Sequence, residues 1–258
     1  MEQYLISIIT PVHNSVAYLE ATINSVLKQT YTHWEMILID DCSDDESVAI
    51  IEELLTKDPR FKLIQNIEKS GPGITRNKGI SAANGQFITF LDSDDLWFPN
   101  FLQTSISSCL DNNFEFVFSS YERKDEDLMP LIIDFIVPKR VSYNDVLKSC
   151  SISCLTAFID IRRIGKHYMP ELEKRQDWGL WLALLKKIDY AHGIQQPLAI
   201  YRMRRNSVSR SKYKLIPYVW KVYREVEKLS ILKSFYLLNL WSLNGFKKYY
   251  VNTRITKK

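Results

Sequence analysis

The chain has 258 residues, 46% hydrophobic, 25% charged and 12% aromatic, with 8 Gly and 9 Pro. Apolar surface is ample and chain breakers are few, which excludes collagen-like, disordered and disulfide-scaffold classes. The formal net charge of +4 is uneven: residues 200–258 carry 15 Lys and Arg against Glu225 and Glu227, while the first 199 carry 19 bases against 28 acids.

Along the chain, Tyr4–Val12 (YLISIITPV) is β-branched and apolar and reads as a buried strand. A helix follows, with Leu19, Ile23, Val26 and Leu27 at helical spacing, and Trp34–Asp40 (WEMILID) is the second strand. Asp45 and Glu46 sit where acids favour a helix N-terminus and open a helix that stops at Asp58-Pro59. FKLIQN is a short third strand, GPGITRNKGISAANG a loop and helix ended by Gly85, and QFITFLD a fourth strand running into SDDLWFPN. A helix over Phe101–Leu110 leads to a fifth strand, FEFVFSS. From about Asp125 the alternation fades. Arg175–Lys187 (RQDWGLWLALLKK) is a helix with Trp178, Trp181, Leu182 and Leu185 on its apolar side. AHGIQQPLAIYRMRRNSVSRSK reads as a short strand pair leaving into a basic loop, and Leu215–Tyr250 as helix broken by Pro217 and Gly245.

Strand–helix–strand repetition predicts an α/β fold with a mostly parallel sheet flanked by helices, in which ligands bind beyond the carboxyl ends of the strands. There the sequence places TPVHN, DDCSDD, EKSGPGITRN and DSDD, so polar and acidic groups from four places share one rim. In LDSDDLW, Asp92 and Asp94 project to one side with Asp95 adjacent. Three carboxylates so close repel one another and suit a hard divalent cation, Mg²⁺ or Mn²⁺, completed by substrate phosphate and water. The same run would also serve as a helix cap and solvated acidic turn. Asp40 or Asp41 can accept a hydrogen bond from a base or ribose, or belong to a capping cluster with Ser43 and Asp44. The loop after the first strand has no glycine, so it is not a GxGxxG dinucleotide loop, and GxxxxGK[ST] is absent.

The segments SIITPVHNSVAYLEATINSVLKQTY, EMILIDDCSDDE, SGPGITRNKGISAANGQFITFLDSDDLWFP and RQDWGLWLALL together resemble the family 2 glycosyltransferases, which have the GT-A nucleotide-diphosphosugar transferase fold. The resemblance covers the first hundred residues almost continuously and resumes near residue 177. It implies a nucleotide pocket lined by Pro11, Val12, His13 and Asn14, with Asp41 and Asp40 toward uracil and ribose and Arg76 toward the base or diphosphate. It further implies Asp92 at ribose or metal-bound water with Asp95 beside it, Asp94 as direct ligand of Mn²⁺ or Mg²⁺, and Asp177 as catalytic base. The neighbouring Trp178 and Trp181 could form an apolar wall for a sugar ring; the alternative is that both are core residues and Asp177 caps the helix. Where the family often has a His in YRxH, this chain has Arg204, which cannot ligate a cation but can pair with phosphate oxygens.

The implied activity is inverting transfer of a sugar from a UDP-sugar to a hydroxyl of a growing, lipid-linked surface glycan, of the teichuronic-acid, capsule and lipopolysaccharide type. Rivals are a non-catalytic nucleotide-sugar or carbohydrate-binding module and a nucleotidyltransferase, although the glycine-rich basic loop of the latter is missing. Residues 1–212 would form the catalytic domain, with a nucleotide-binding half to about 120 and an acceptor half to about 212; residues 213–258 would be a basic amphipathic helical tail. The tail interleaves Lys and Arg with Trp220, Tyr223, Phe235, Tyr236, Trp241, Phe246, Tyr249 and Tyr250. Such helices lie in a membrane interface rich in anionic lipid, or pack their aromatics on the catalytic domain. No nucleic acid partner is expected, since no RNA or DNA module surrounds the patch. No apolar run reaches the roughly 18–20 residues that span a bilayer, and no basic segment precedes an apolar one at the N-terminus. With four cysteines read as reduced thiols (Cys42, Cys109, Cys150, Cys154), the expected place is the cytoplasm, peripheral at the inner membrane face.

Overall fold

The computed structural model describes residues 3–204 and 215–251, with 246–251 described by backbone alone. The basic loop over 205–214, residues 252–258 and the side chains of Phe246, Tyr249 and Tyr250 lie outside the described residues.

Strands β1 (Ile6–Val12), β2 (Trp34–Asp40), β3 (Phe61–Gln65) and β4 (Phe87–Phe90) pair in parallel in the order β3-β2-β1-β4. All seven residues of β2 are buried, as expected of a strand covered on both faces. Its side chains alternate between two cores: Trp34, Met36 and Leu38 on one face, Ile37 and Ile39 on the other. Helices α1 (Val16–Leu27), α2 (Ser47–Lys57) and α3 (Pro72–Ala82) are the crossovers. α3 presses close to the sheet at Gly79, where a Cβ would stand 2.5 Å from Ile9 Cγ2 and 2.8 Å from Ile39 Cδ1.

Beyond β4 the sheet becomes mixed. β9 (Phe158–Asp160) lies antiparallel between β4 and β6 (Phe116–Lys124), and β10 (Ala191–Arg202) runs parallel to β6. β5 (Leu96–Trp97), β7 (Pro130–Phe135) and β8 (Arg140–Val141) are short antiparallel additions. The expected strand pair after residue 190 is one twelve-residue strand, β10, whose register slips on both sides of Pro197. Proline has no N–H for the ladder, so a bulge forms there rather than a turn. Helices α4 (Phe101–Asn112), α5 (Tyr143–Lys148), α6 (Ile161–Ile164) and α7 (Gln176–Leu184) fill the faces.

Trp178 and Trp181 of α7 are core residues, which corrects the expectation of a sugar-binding wall. Both are fully buried: Trp178 packs edge-on against Tyr223 and donates from Nε1 to the Val146 carbonyl, while Trp181 lies against Phe90 and Phe116. The tail begins with α8 (Ile216–Lys221), carrying Pro217 in its first turn, and runs through a π-helical turn into α9 (Ile231–Val251). Gly245 lies inside α9 and does not end it. Val219, Val222, Tyr223 and Leu237 are buried in the same core as α7, so the tail packs on the body. No described helix is long and apolar enough to cross a membrane, and all four cysteines are free.

Candidate active site

The parallel registers set Val12 opposite Asp40 and Asp40 opposite Gln65, so the chain leaves three strands at one level. The residues that follow meet there. Asn14, in a left-handed conformation at φ 49°, receives the Asp44 N–H on its side-chain oxygen at 2.9 Å and donates its own N–H to Ser43 Oγ at 3.0 Å. Lys69 donates to His13 Nε2 at 2.8 Å, while His13 Nδ1 is buried without a partner. Asp41 is buried and accepts from Asn66 Nδ2 at 2.7 Å, Ser70 N–H at 2.7 Å and Gly71 N–H at 2.8 Å. Burial alone would raise its pKa; those hydrogen bonds outweigh it and hold the carboxyl below the usual range. Gly71 achieves this at φ 80°, where a side chain would be strained. Asp40 turns inward and accepts from the Ser43 N–H at 3.2 Å. Of the two acids, Asp41 therefore faces the open rim.

The DxD run after β4 lies opposite. Arg76, almost fully buried on α3, forms an ion pair with Asp92. Its own pKa is driven up by Asp92, with help from Asp177, against the opposing effect of burial. Arg204 pairs with Asp94 at 2.7 Å. Asp95 is buried and accepts from the Arg202 N–H at 2.8 Å, which ties the end of β10 to this turn. Burial first, and then the neighbouring acids, raise the pKa of Asp94 and more strongly that of Asp95.

One open cleft of about 1260 Å³ connects these groups: Pro11–Ser15 and Asp41 at one end, Arg76 and Asp92–Asp95 along its floor, Asp177 and Arg204 beyond. A second arm of about 470 Å³ leaves beside Arg76, Asp92 and Asp177 toward Tyr121, Arg123 and Cys150–Leu155. Asp177 stands in the first turn of α7. The segment before it is clamped by the tail. Tyr218 OH donates to Glu173 at 2.7 Å, Lys174 lies over the Tyr218 ring, and Arg175 lies toward the Trp241 ring.

Of the site residues singled out in the sequence, all but Asp40, Trp178 and Trp181 line this cleft. Lys69, Arg175 and Arg202 line it as well, although the sequence assigned them no role. Arg175 stands in the quoted RQDWG segment, and Lys69 in the loop after β3; only the fold reveals that both face the rim.

Among the described residues no group of three or more His, Cys, Asp or Glu side chains converges as a ready-made metal cage. The cleft instead offers Asp92 and Asp94, two neighbouring hard oxygen donors. That donor set fits Mg²⁺ or Mn²⁺, which take one or two carboxylates and complete their shell from phosphate and water.

The sequence profile described as glycosyl transferase family 2 matches residues 7–132. TuaG of Bacillus subtilis, named as a putative teichuronic acid biosynthesis glycosyltransferase, is 38% identical over 95% of this chain and 97% of its own length. WfgD of Escherichia coli, named as a UDP-Glc:α-D-GlcNAc-diphosphoundecaprenol β-1,3-glucosyltransferase, is 35% identical over 100% of both chains. Among solved structures, S. aureus TarS 1–349 in complex with UDP-GlcNAc aligns with a TM-score of 0.69 at 19% identity, over 96% of this chain and 73% of that one. The mannosyltransferase PcManGT from Pyrobaculum calidifontis, in complex with GDP-Man and Mn²⁺, aligns at 0.68 and 13% identity, over 97% and 76%. The structural likeness is one of fold, the GT-A architecture, and the full-length sequence identity goes further: the chain belongs to glycosyltransferase family 2.

Proposed function

We propose that this protein transfers one sugar from a UDP-sugar to a hydroxyl of a lipid-linked surface glycan, with inversion at the anomeric carbon. The observation that carries this reading is the single cleft holding Asp41, Arg76, Asp92, Asp94, Asp177 and Arg204. Residues 1–212 supply all of these side chains, the half up to about 120 giving the nucleotide end and the half from 121 to 212 the acceptor end.

In this reading Pro11, Val12, His13 and Asn14 wall the base, and Asp41 holds the uracil or ribose side with its geometry fixed by Asn66, Ser70 and Gly71. Asp40 supports that loop from within through Ser43. Arg76 orients Asp92 toward ribose, and Arg202 and Arg204 offer guanidinium charge to the leaving diphosphate. Asp95, bonded to the Arg202 backbone, fixes the DxD turn against β10. Asp94, with Asp92 beside it, would hold Mn²⁺ or Mg²⁺, which supplies electrostatic stabilisation of the departing nucleoside diphosphate. Asp177 accepts the proton of the attacking hydroxyl as general base. A single displacement with one base on the far face inverts the anomeric centre.

The UDP preference is supported by TarS, solved with UDP-GlcNAc, and by the donor in the name of WfgD, the acceptor name of which also supports a diphosphate lipid. A location at an anionic membrane surface is supported by α9, whose buried side carries Leu237 while Leu232, Phe235, Tyr236 and Leu243 are exposed. No acidic residue follows Glu227. A helix apolar on both sides calls for a second cover, and the excess of cations favours anionic lipid.

A thermal-shift screen of UDP-, GDP- and CMP-sugars with Mn²⁺ tests the donor class, followed by transfer to a sugar-diphosphate-lipid. Stabilisation by a UDP-sugar and loss of roughly 10²–10⁴-fold in turnover for Asp177→Asn are expected. Stabilisation only by GDP- or CMP-sugars overturns the donor assignment, and full activity in Asp177→Asn overturns the base.

A further inference from the structure

Arg76, Arg175, Arg202 and Arg204 line the larger arm of the cleft. Arg76 is paired with Asp92 and Arg204 with Asp94, whereas among the described residues no carboxylate pairs with Arg175 or Arg202, and the Nε of each is buried without a hydrogen-bond partner; Arg202 lies over the Tyr18 ring and is absent from the smaller arm. The Arg175 backbone is left-handed, φ 67° and ψ 19°, a conformation L-residues adopt at a cost and one that recurs at functional sites. Both arms of the cleft include it. An uncompensated guanidinium held in a strained turn, two residues before the proposed base, is a site prepared for an anion.

The two arms separate the candidate anions. Asp94 and Arg204, the pair at the donor diphosphate in the reading above, line only the larger arm. The smaller arm adds Arg123, whose guanidinium is held by two hydrogen bonds to the Ile133 carbonyl and is left with charge to spare. We infer that Arg175, with Arg123 further along the arm, binds a phosphate group of the acceptor, so that the acceptor recognised beside Asp177 is a phosphate-bearing glycan and not a free saccharide. This rests on the glycosyl-transfer reading and names the acceptor class for it. Trp241 of α9, 5.9 Å from the Arg175 guanidinium, positions that side chain from behind.

The full-length protein is titrated with a soluble sugar-diphosphate-alkyl acceptor and with its analogue lacking the diphosphate, at saturating UDP-sugar and Mn²⁺. Arg175→Gln is expected to raise the KM for the diphosphate acceptor roughly tenfold or more, with the KM for donor and for the phosphate-free analogue unchanged. Arg175→Lys, which keeps the charge without the fork, recovers part of the loss. Calorimetry of the same diphosphate acceptor without donor gives a readout independent of turnover, and a roughly tenfold weaker affinity in Arg175→Gln is expected there too. Failure of the glycosyl-transfer reading would show as absence of transfer from every nucleotide sugar while that difference in affinity persists. Equal affinities of wild type and Arg175→Gln, equal loss on both acceptors, or a raised donor KM overturns the inference.

Discussion

Arg204 Nη2 lies 2.7 Å from Asp94 Oδ2, so the carboxylate proposed as the cation ligand is already met by a guanidinium of the same chain. A divalent cation and a donor diphosphate, of opposite charge, thus draw on the two halves of one ion pair: the cation competes with Arg204 for Asp94, and the diphosphate competes with Asp94 for Arg204.

Opposite effects follow from one substitution. In Arg204→Ala the diphosphate loses a charge-assisted contact, and donor affinity should fall roughly tenfold. Asp94 loses its competitor at the same time, so Mn²⁺ titrated alone should bind more tightly than to wild type. Calorimetry reads both, and unchanged donor affinity would remove Arg204 from the donor site.

Asp41 predicts a pH effect. Its folded pKa is depressed, since the hydrogen bonds from Ser70, Asn66 and Gly71 outweigh burial, so its contribution to stability is present above the unfolded carboxyl value near pH 4 and is lost as pH falls below it. Asp41→Asn offers one carbonyl oxygen where two carboxylate oxygens took three donors, which should cost about 1–3 kcal/mol at pH 7. The difference between wild type and variant should begin to shrink near pH 4 and go on shrinking as pH falls through the depressed folded value, as read in urea melts. A difference independent of pH would show that the carboxylate charge is not what holds the loop.

The tail should fold with the body. Tyr223 is fully buried against Trp178 and donates its hydroxyl to the Leu147 carbonyl at 2.7 Å. Tyr223→Ala removes a core aromatic and should cost about 3–5 kcal/mol. Chemical denaturation should keep a single transition, moved to lower urea. A separate transition for the tail, or no shift, would make 213–258 an independent unit.

These sites differ in how legible they were. Asp92, Asp94 and Asp95 could be read because the strand ahead of them is strongly apolar and the i, i+2 spacing gives Asp92 and Asp94 a common side. The choice between Asp40 and Asp41 could not, because it depends on the Ser70–Gly71 loop arriving from another strand. Helical periodicity marked Trp178 and Trp181 as one apolar face, but whether such a face meets core or cleft is a tertiary fact. β8 and β9 escaped notice because each is two or three residues long and finds its partner far along the chain, and β7 because it is a mostly exposed strand returning beside β6 with slipped register. Gly245 was read as a break, yet α9 runs through it: α9 packs against α5, which overrides a propensity cost of about 1 kcal/mol.

The exposed side of α9 yields the last prediction. Leu232 is 85% exposed and Tyr236 63%, one turn apart, so Asp at both positions should leave the folded core and its melting temperature nearly unchanged. On a bilayer the same residues would bury apolar area, at about 25 cal/mol per Å², next to Lys228 and Lys233, each cation near anionic lipid adding about 1 kcal/mol. Leu232→Asp combined with Tyr236→Asp removes that area and introduces repulsion, and should weaken partition into phosphatidylglycerol-containing vesicles by roughly two orders of magnitude. Raised salt should weaken the wild type as well, since part of the attraction is screened. Sedimentation with vesicles separates the possible covers of this face. If wild type fails to bind anionic vesicles, or the double variant binds equally well, α9 does not meet lipid; if the double variant instead dissociates a dimer, a second copy of the chain covers it.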